Sequence, residues 1–122
     1  MELTYKDCSE FLRGFLVLVK KDNNICEFEK NMSMVVGEYF GFAEEFCEES
    51  IGALLENNFI SEEPPIFSSK IIAEFFIEES YKILSQIHPL APNEEEWLLK
   101  TAEANKVNYA ITEQKIIKIV LT

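Results

Sequence analysis

Apolar residues recur along this chain at helical spacing. Phe11, Leu12, Phe15, Leu16, Leu18 and Val19 cover more than one face of a helix over residues 9–20, which predicts a central helix. Phe28, Met32, Val35, Val36 and Tyr39 form a single stripe over 27–40, the mark of an amphipathic helix. Gly41 stands where a left-handed cap would end it. A third helix is expected over 43–57, with Cys47, Ile51, Leu54 and Leu55 inward and Glu44, Glu45, Glu48, Glu49 and Glu56 outward. Pro64 and Pro65 cannot continue a helix, so 57–67 reads as a linker. Ser68 or Ser69 then caps a fourth helix running to 87, with Ile72, Phe75, Phe76, Ile83 and Leu84 as core candidates. Pro92 suits the start of a fifth helix over 93–105, with Trp97 on its inner face. The last segment, 112–121, pulls both ways. Ile116, Ile117, Ile119 and Val120 are β-branched and favour an edge strand, whereas Thr112 as a cap and the helical context favour a helix. Helix is the preferred reading.

Composition agrees with one helical domain. The chain has 122 residues, 48% of them apolar and 12% aromatic, enough for a real core and too apolar for disorder. Four glycines and four prolines are few for an all-β sandwich. The expected fold is all-α, a compact bundle of five to seven helices. It is further read as two loosely repeated helical hairpins, over 9–57 and 68–121. A shift of 65 residues sets Phe11 on Phe76, Leu18 on Ile83, Ile25 on Leu90, Glu29 on Glu94 and Met32 on Trp97.

Charge narrows the partners. The formal net charge is −11, from 22 acidic and 11 basic residues, which repels a phosphate backbone and favours basic proteins or cations. Cys8, Cys26 and Cys47 are scattered and only one histidine is present, so buried thiols are expected rather than a disulfide framework or a zinc site. Glu2, Lys6 and Asp7 break any signal-peptide pattern, and the run Phe15 to Val19 is too short to span a bilayer. A cytoplasmic protein is expected.

Candidate chemistry centres on Asp22-Asn23-Asn24. Asp22, Asn24 and Glu29 are the candidate ligands of a weakly held divalent cation, although the stretch is no EF-hand. Counted from Asp22, loop positions five, six and twelve are Cys26, Glu27 and Ser33, where an oxygen ligand, a glycine and a bidentate glutamate belong. The preferred reading is structural: Cys26 takes the N-cap position and Glu29, three residues later, bonds back to its amide. His88 lies beside Pro89 in a turn without a partner at motif spacing, and is expected to face solvent. Glu44, Glu45, Glu48 and Glu49 are read as a solvated face that can double as a docking surface for a basic partner. No nucleophile motif or glycine-rich phosphate loop is present, which disfavours an enzyme.

The stretch "KKDNNICEFEKNMSMVVGEYFGFAEEFCEE" resembles the tellurite-resistance TerB-like family. The carriers are Asp22 in the turn, the aliphatic Ile25, the acid Glu29 and the Gly41-Phe42 junction. The resemblance covers residues 11–55 and extends beyond them by helix pattern. It implies an all-helical bundle with an acidic surface and an accessory role in stress or metal-ion response, without established catalytic chemistry. The expected function is therefore a non-catalytic accessory protein acting by binding. The alternatives are an acidic adaptor without a ligand and, less expected, a carboxylate-metal enzyme.

Overall fold

Thr4 starts the first helix earlier than the apolar pattern indicates. Its hydroxyl accepts the Asp7 N–H at 3.0 Å, and the Asp7 carboxylate accepts the Thr4 N–H at 3.0 Å, a reciprocal cap. In the computed structural model this helix, α1, spans Tyr5–Lys20, followed by α2 over Glu27–Tyr39, α3 over Lys70–Ser85 and α4 over Pro92–Ala104. Two strands follow, β1 over Tyr109–Thr112 and β2 over Lys115–Lys118. The structure describes residues 3–21, 27–39, 41, 45, 48–49 and 61–120. Of the helix expected over 43–57, only Glu45, Glu48 and Glu49 fall among them, and all three are helical.

The all-α bundle of five to seven helices is thus corrected: the described residues hold four main helices and a two-stranded antiparallel sheet. The preferred helix over 112–121 is wrong. β-branched side chains lose rotamer freedom against the preceding turn of a helix but pack well on a pleated surface. Here that local preference outweighs the helical context. Glu113 and Gln114 adopt φ of 50° and 61°, the two left-handed residues of a type I′ turn. The register pairs Tyr109 with Lys118, Ala110 with Ile117, Ile111 with Ile116 and Thr112 with Lys115.

The path into β1 is set by the end of α4. Lys106 takes φ of 61°, its N–H donates to Glu103 C=O at 3.1 Å, and the Val107 N–H donates to Ala102 C=O at 3.0 Å. That is a Schellman motif with lysine where glycine is usual. Its hydrophobic clasp is Val107 against Ala102, both buried. Gly41, as expected of a cap, is left-handed with φ of 80°.

α1 is central. Phe15, Val17, Leu18 and Val19 are each 0% exposed, so the helix is buried all round at its C-terminal half. It packs on α2 and α3, α3 packs on α4, and α4 packs on β1. α1 and α3 each have 16 residues and α2 and α4 each have 13, and both pairs stand 65 residues apart in the chain. Phe76 of α3 fills the centre, edge-on to Phe11 at 4.9 Å between ring centroids.

The proline-rich linker is held by polar side chains from every side. Arg13 donates to the Ser61 and Glu63 carbonyls at 2.6 and 2.8 Å, and the Trp97 indole donates to Glu62 C=O at 2.9 Å. Buried Asn105 donates to Pro65 C=O at 2.8 Å and accepts the Phe67 N–H at 2.9 Å. Extended backbone near a core must find such partners, because an unpaired buried carbonyl or amide costs about 1–3 kcal/mol.

Candidate functional site

An apolar cleft with a built wall opens on the described surface. Between α1, α2 and α3 it encloses about 360 Å³ lined, among the described residues, by Phe11, Val35, Val36, Tyr39, Phe75, Glu79 and Ile83. Phe11 and Val36 are buried at its base. Val35 and Tyr39 are 55% and 73% exposed at its rim. Helical periodicity places these residues together. Phe75, Glu79 and Ile83 are four apart on α3, and Val35, Val36 and Tyr39 share one face of α2. The volume lies within the roughly 300–1,000 Å³ of small-ligand pockets. Its described lining is apolar apart from Glu79, and Glu38 stands exposed beside Tyr39.

The sequence assigned Val35 and Tyr39 to the inward stripe of the second helix. Of that stripe Val36 is buried, Val35 and Tyr39 are exposed at the edge of the cleft, and the side chains of Phe28 and Met32 lie outside the described residues. The signal was there in the width of the stripe rather than in any motif.

None of the expected cation ligands has a described side chain. Asp22 and Asn24 are outside the described residues, and so is the side chain of Glu29. Glu94, which a shift of 65 residues sets on Glu29, is described. It is 0% exposed, and its Oε1 accepts the Ala91 N–H at 2.7 Å, the back-bond of a capping box. Alanine at the N-cap offers no side-chain oxygen, so only that half of the box forms. Asn93 reaches from the same helix start to the Lys21 carbonyl at 2.6 Å, sealing the end of α1. Among the described residues no group of three His, Cys, Asp or Glu side chains converges.

Glu45, Glu48 and Glu49 of the expected acidic face are exposed, and Glu44 lies outside the described residues. Cys8 is a half-buried free thiol, pushed up in pKa by burial and by the Asp7 charge. His88 is half-buried rather than solvent-facing, with Nδ1 2.8 Å from the Pro89 carbonyl.

Two polar knots remain, and both serve the frame. Asp7, 1% exposed, accepts the Ser68 N–H at 2.9 Å and the Ser68 hydroxyl at 2.6 Å, tying the start of α1 to the approach to α3. Burial pushes its pKa up, but the bonds from Ser68 and Thr4 outweigh that and hold it below the usual carboxylate value. A carboxylate so satisfied is a poor general base for Ser68. The second knot pins the hairpin to α3. The Tyr109 hydroxyl donates to Glu78, and Lys118 Nζ lies 2.5 Å from Glu74. Burial first, and then the Glu78 hydrogen bond and charge, drive the Tyr109 pKa far above that of a free phenol.

Among the described residues no helix is long and apolar enough to cross a membrane. Compared with known protein families, curated proteins and solved structures, the chain matches none.

Proposed function

We infer that this chain is a non-catalytic binding module that receives an amphipathic, basic segment of another protein in the cleft between α1, α2 and α3. The observation that carries the reading is the cleft itself, with Val35 and Tyr39 held out at its rim over a buried floor of Phe11 and Val36. Apolar residues of the partner fill the cleft in the manner of a helix laid in a groove. Lysines or arginines beside them meet Glu79, Glu38 and a chain of net charge −11. The polar knots serve the frame, since each satisfies backbone or fixes an element, and the cleft is the feature suited to receiving a partner. The setting implied by the TerB-like resemblance is a stress or metal-ion response, in which such a module acts as an accessory.

The test uses a synthetic helical peptide of leucine and lysine at amphipathic spacing, labelled for fluorescence anisotropy. Val35→Asp places a charge in the cleft at an exposed position and is expected to weaken binding about tenfold, which corresponds to ~1.4 kcal/mol. Ile66→Asp, on the linker and 55% exposed, is expected to leave it within twofold, an estimate of roughly the size seen for surface changes away from an interface. Equal affinities in all three proteins would mean diffuse attraction to an acidic surface and would reject the cleft.

A further inference from the structure

We propose that Glu79 sets the specificity of the cleft, selecting a partner helix that carries one lysine or arginine between two apolar anchors, each four residues away from it. The proposal rests on the reading of the cleft as a groove for such a helix, and it names which helix is taken.

The row of α3 that carries Glu79 fixes where its charge sits. Phe75, Glu79 and Ile83 follow one another at four-residue spacing along the cleft. Phe75 and Ile83 both pack on the core, and the Phe75 ring lies 5.7 Å from the ring of Phe11. Half-buried Glu79 thus stands between two anchored apolar side chains. A carboxylate on a helix ordinarily finds a cation three or four residues away. For Glu79 both residues four away are apolar, and Phe76, three before it, is buried in the core. Lys82, three after it, is exposed. Among the described residues no hydrogen bond or ion pair reaches Glu79. Glu74 and Glu78 on the adjacent row differ, since Lys118 and Tyr109 hold them. Glu79 is also the one charged side chain of the described lining.

Filling the cleft changes what that charge costs. A partner that covers Phe75 and Ile83 strips water from the carboxylate between them. A carboxylate so covered is costly unless a cation comes with it. An apolar or acidic residue at the centre of the partner's face is therefore rejected, and a groove that is otherwise apolar tells one amphipathic helix from another. The spacing follows from helix geometry. Four residues rise about 6 Å along any α-helix. A helix running beside α3 with its central residue at Glu79 sets the residues four before and four after beside Phe75 and Ile83. Lysine and arginine suit the centre, because their aliphatic stems cover apolar surface while the charged head reaches the carboxylate. The opposite wall repeats the spacing, with Val35 and Tyr39 also four apart on α2.

The experiment is fluorescence anisotropy at physiological salt with two labelled helical peptides of identical composition. The first carries leucine, lysine and leucine at four-residue spacing along its apolar face. In the second, that lysine exchanges places with an alanine on the far face. Both have the same net charge, so diffuse attraction to a chain of −11 is the same for both and a difference reports position. The wild type is expected to bind the first peptide at least about tenfold more tightly. Glu79→Gln, which keeps the side-chain shape, is expected to abolish that preference, and Glu79→Lys to reverse it. Glu103→Lys makes the same change of charge at an exposed position on α4 and is expected to keep the preference. Circular dichroism checks that each variant keeps its fold. A wild type that binds both peptides alike, a Glu79→Gln protein that keeps the preference, or a Glu103→Lys protein that loses it would each overturn the proposal. The cleft still stands in those cases if Val35→Asp weakens binding of both peptides. Binding indifferent to Val35→Asp, or no binding of either peptide, would overturn both readings.

Discussion

Gly14→Ala tests how tightly the centre is packed. Gly14 lies mid-way along α1, where the helix passes Phe76 of α3 and Pro65 of the linker. A Cβ there would stand 2.7 Å from Phe76 Cζ, 3.0 Å from its Cε1 and 3.0 Å from Pro65 Cγ. Carbon contacts relax at about 3.5–4.0 Å, so the ring must retreat by roughly 1 Å. It has nowhere to go. Phe76 is 0% exposed, with Phe11, Phe67 and Trp97 ring centroids at 4.9, 5.2 and 6.3 Å.

Two effects oppose each other. Alanine is favoured over glycine in a helix by about 1 kcal/mol. Overpacking a filled core costs about 1–3 kcal/mol. With the ring clamped on three sides the steric cost falls in the upper part of that range, about 2–3 kcal/mol, so a net loss of about 1–2 kcal/mol is expected, a fall in Tm of roughly 3–10 °C. Urea denaturation should show a lower midpoint at an unchanged slope. Phe76→Leu supplies the control. On that background the ring is gone and the 3.0 Å approach to Pro65 Cγ remains, so adding Gly14→Ala should cost clearly less than in the wild type, a non-additivity between residues in contact. Stabilisation by Gly14→Ala alone, or an equal cost on both backgrounds, would refute the close approach.

The Asp7 knot predicts an acid-sensitive fold. Its folded pKa is depressed below the ordinary 3.8, so its stabilisation is present above that value and is lost as pH falls through the lower folded pKa. Asp7→Asn should cost about 1–3 kcal/mol near neutral pH and flatten the acid limb of urea midpoint against pH, and an unchanged acid limb would remove the knot from the stability of the fold. The turn predicts the opposite sign. Glu113→Asn with Gln114→Gly installs residues that accept left-handed backbone and should add about 1 kcal/mol, with slower amide exchange at Ile117 and Ile119. A loss of stability would argue against the type I′ turn.

Much of the fold was legible because burial follows periodicity. The apolar band on α1 covers more than one face, and the helix is buried all round, since only a central helix can satisfy that pattern. Trp97 was read as core and is 5% exposed. The hairpin was misread for two reasons. Its turn is Glu113-Gln114 and lacks the Asn-Gly that marks a type I′ turn, so the local signal was missing. Its first strand was overlooked, although Val107, Tyr109 and Ile111 alternate with Asn108, Ala110 and Thr112 at the period of two that marks a half-buried strand. The role of the linker was not legible either. Two prolines announce an interruption of helix but say nothing of Arg13, Trp97 and Asn105 converging on its carbonyls, because those residues are distant in sequence.

α3 explains how the cleft and the hairpin are held independently of each other. Successive residues of a helix point about 100° apart, so neighbouring rows face different neighbours. Ile72, Phe76 and Ile77 turn into the core and are 2%, 0% and 0% exposed, which fixes the helix against α1. The row Phe75, Glu79 and Ile83 lines the cleft. The adjacent row Glu74 and Glu78 holds Lys118 and Tyr109 and so sets the orientation of the hairpin. A change at Glu74 or Glu78 should therefore move the β2 edge and leave the cleft intact, whereas a change at Phe76 should disturb both. That division gives variants at the cleft and at the hairpin separable meanings. Each surface rests on its own row of a helix whose third row is anchored in the core.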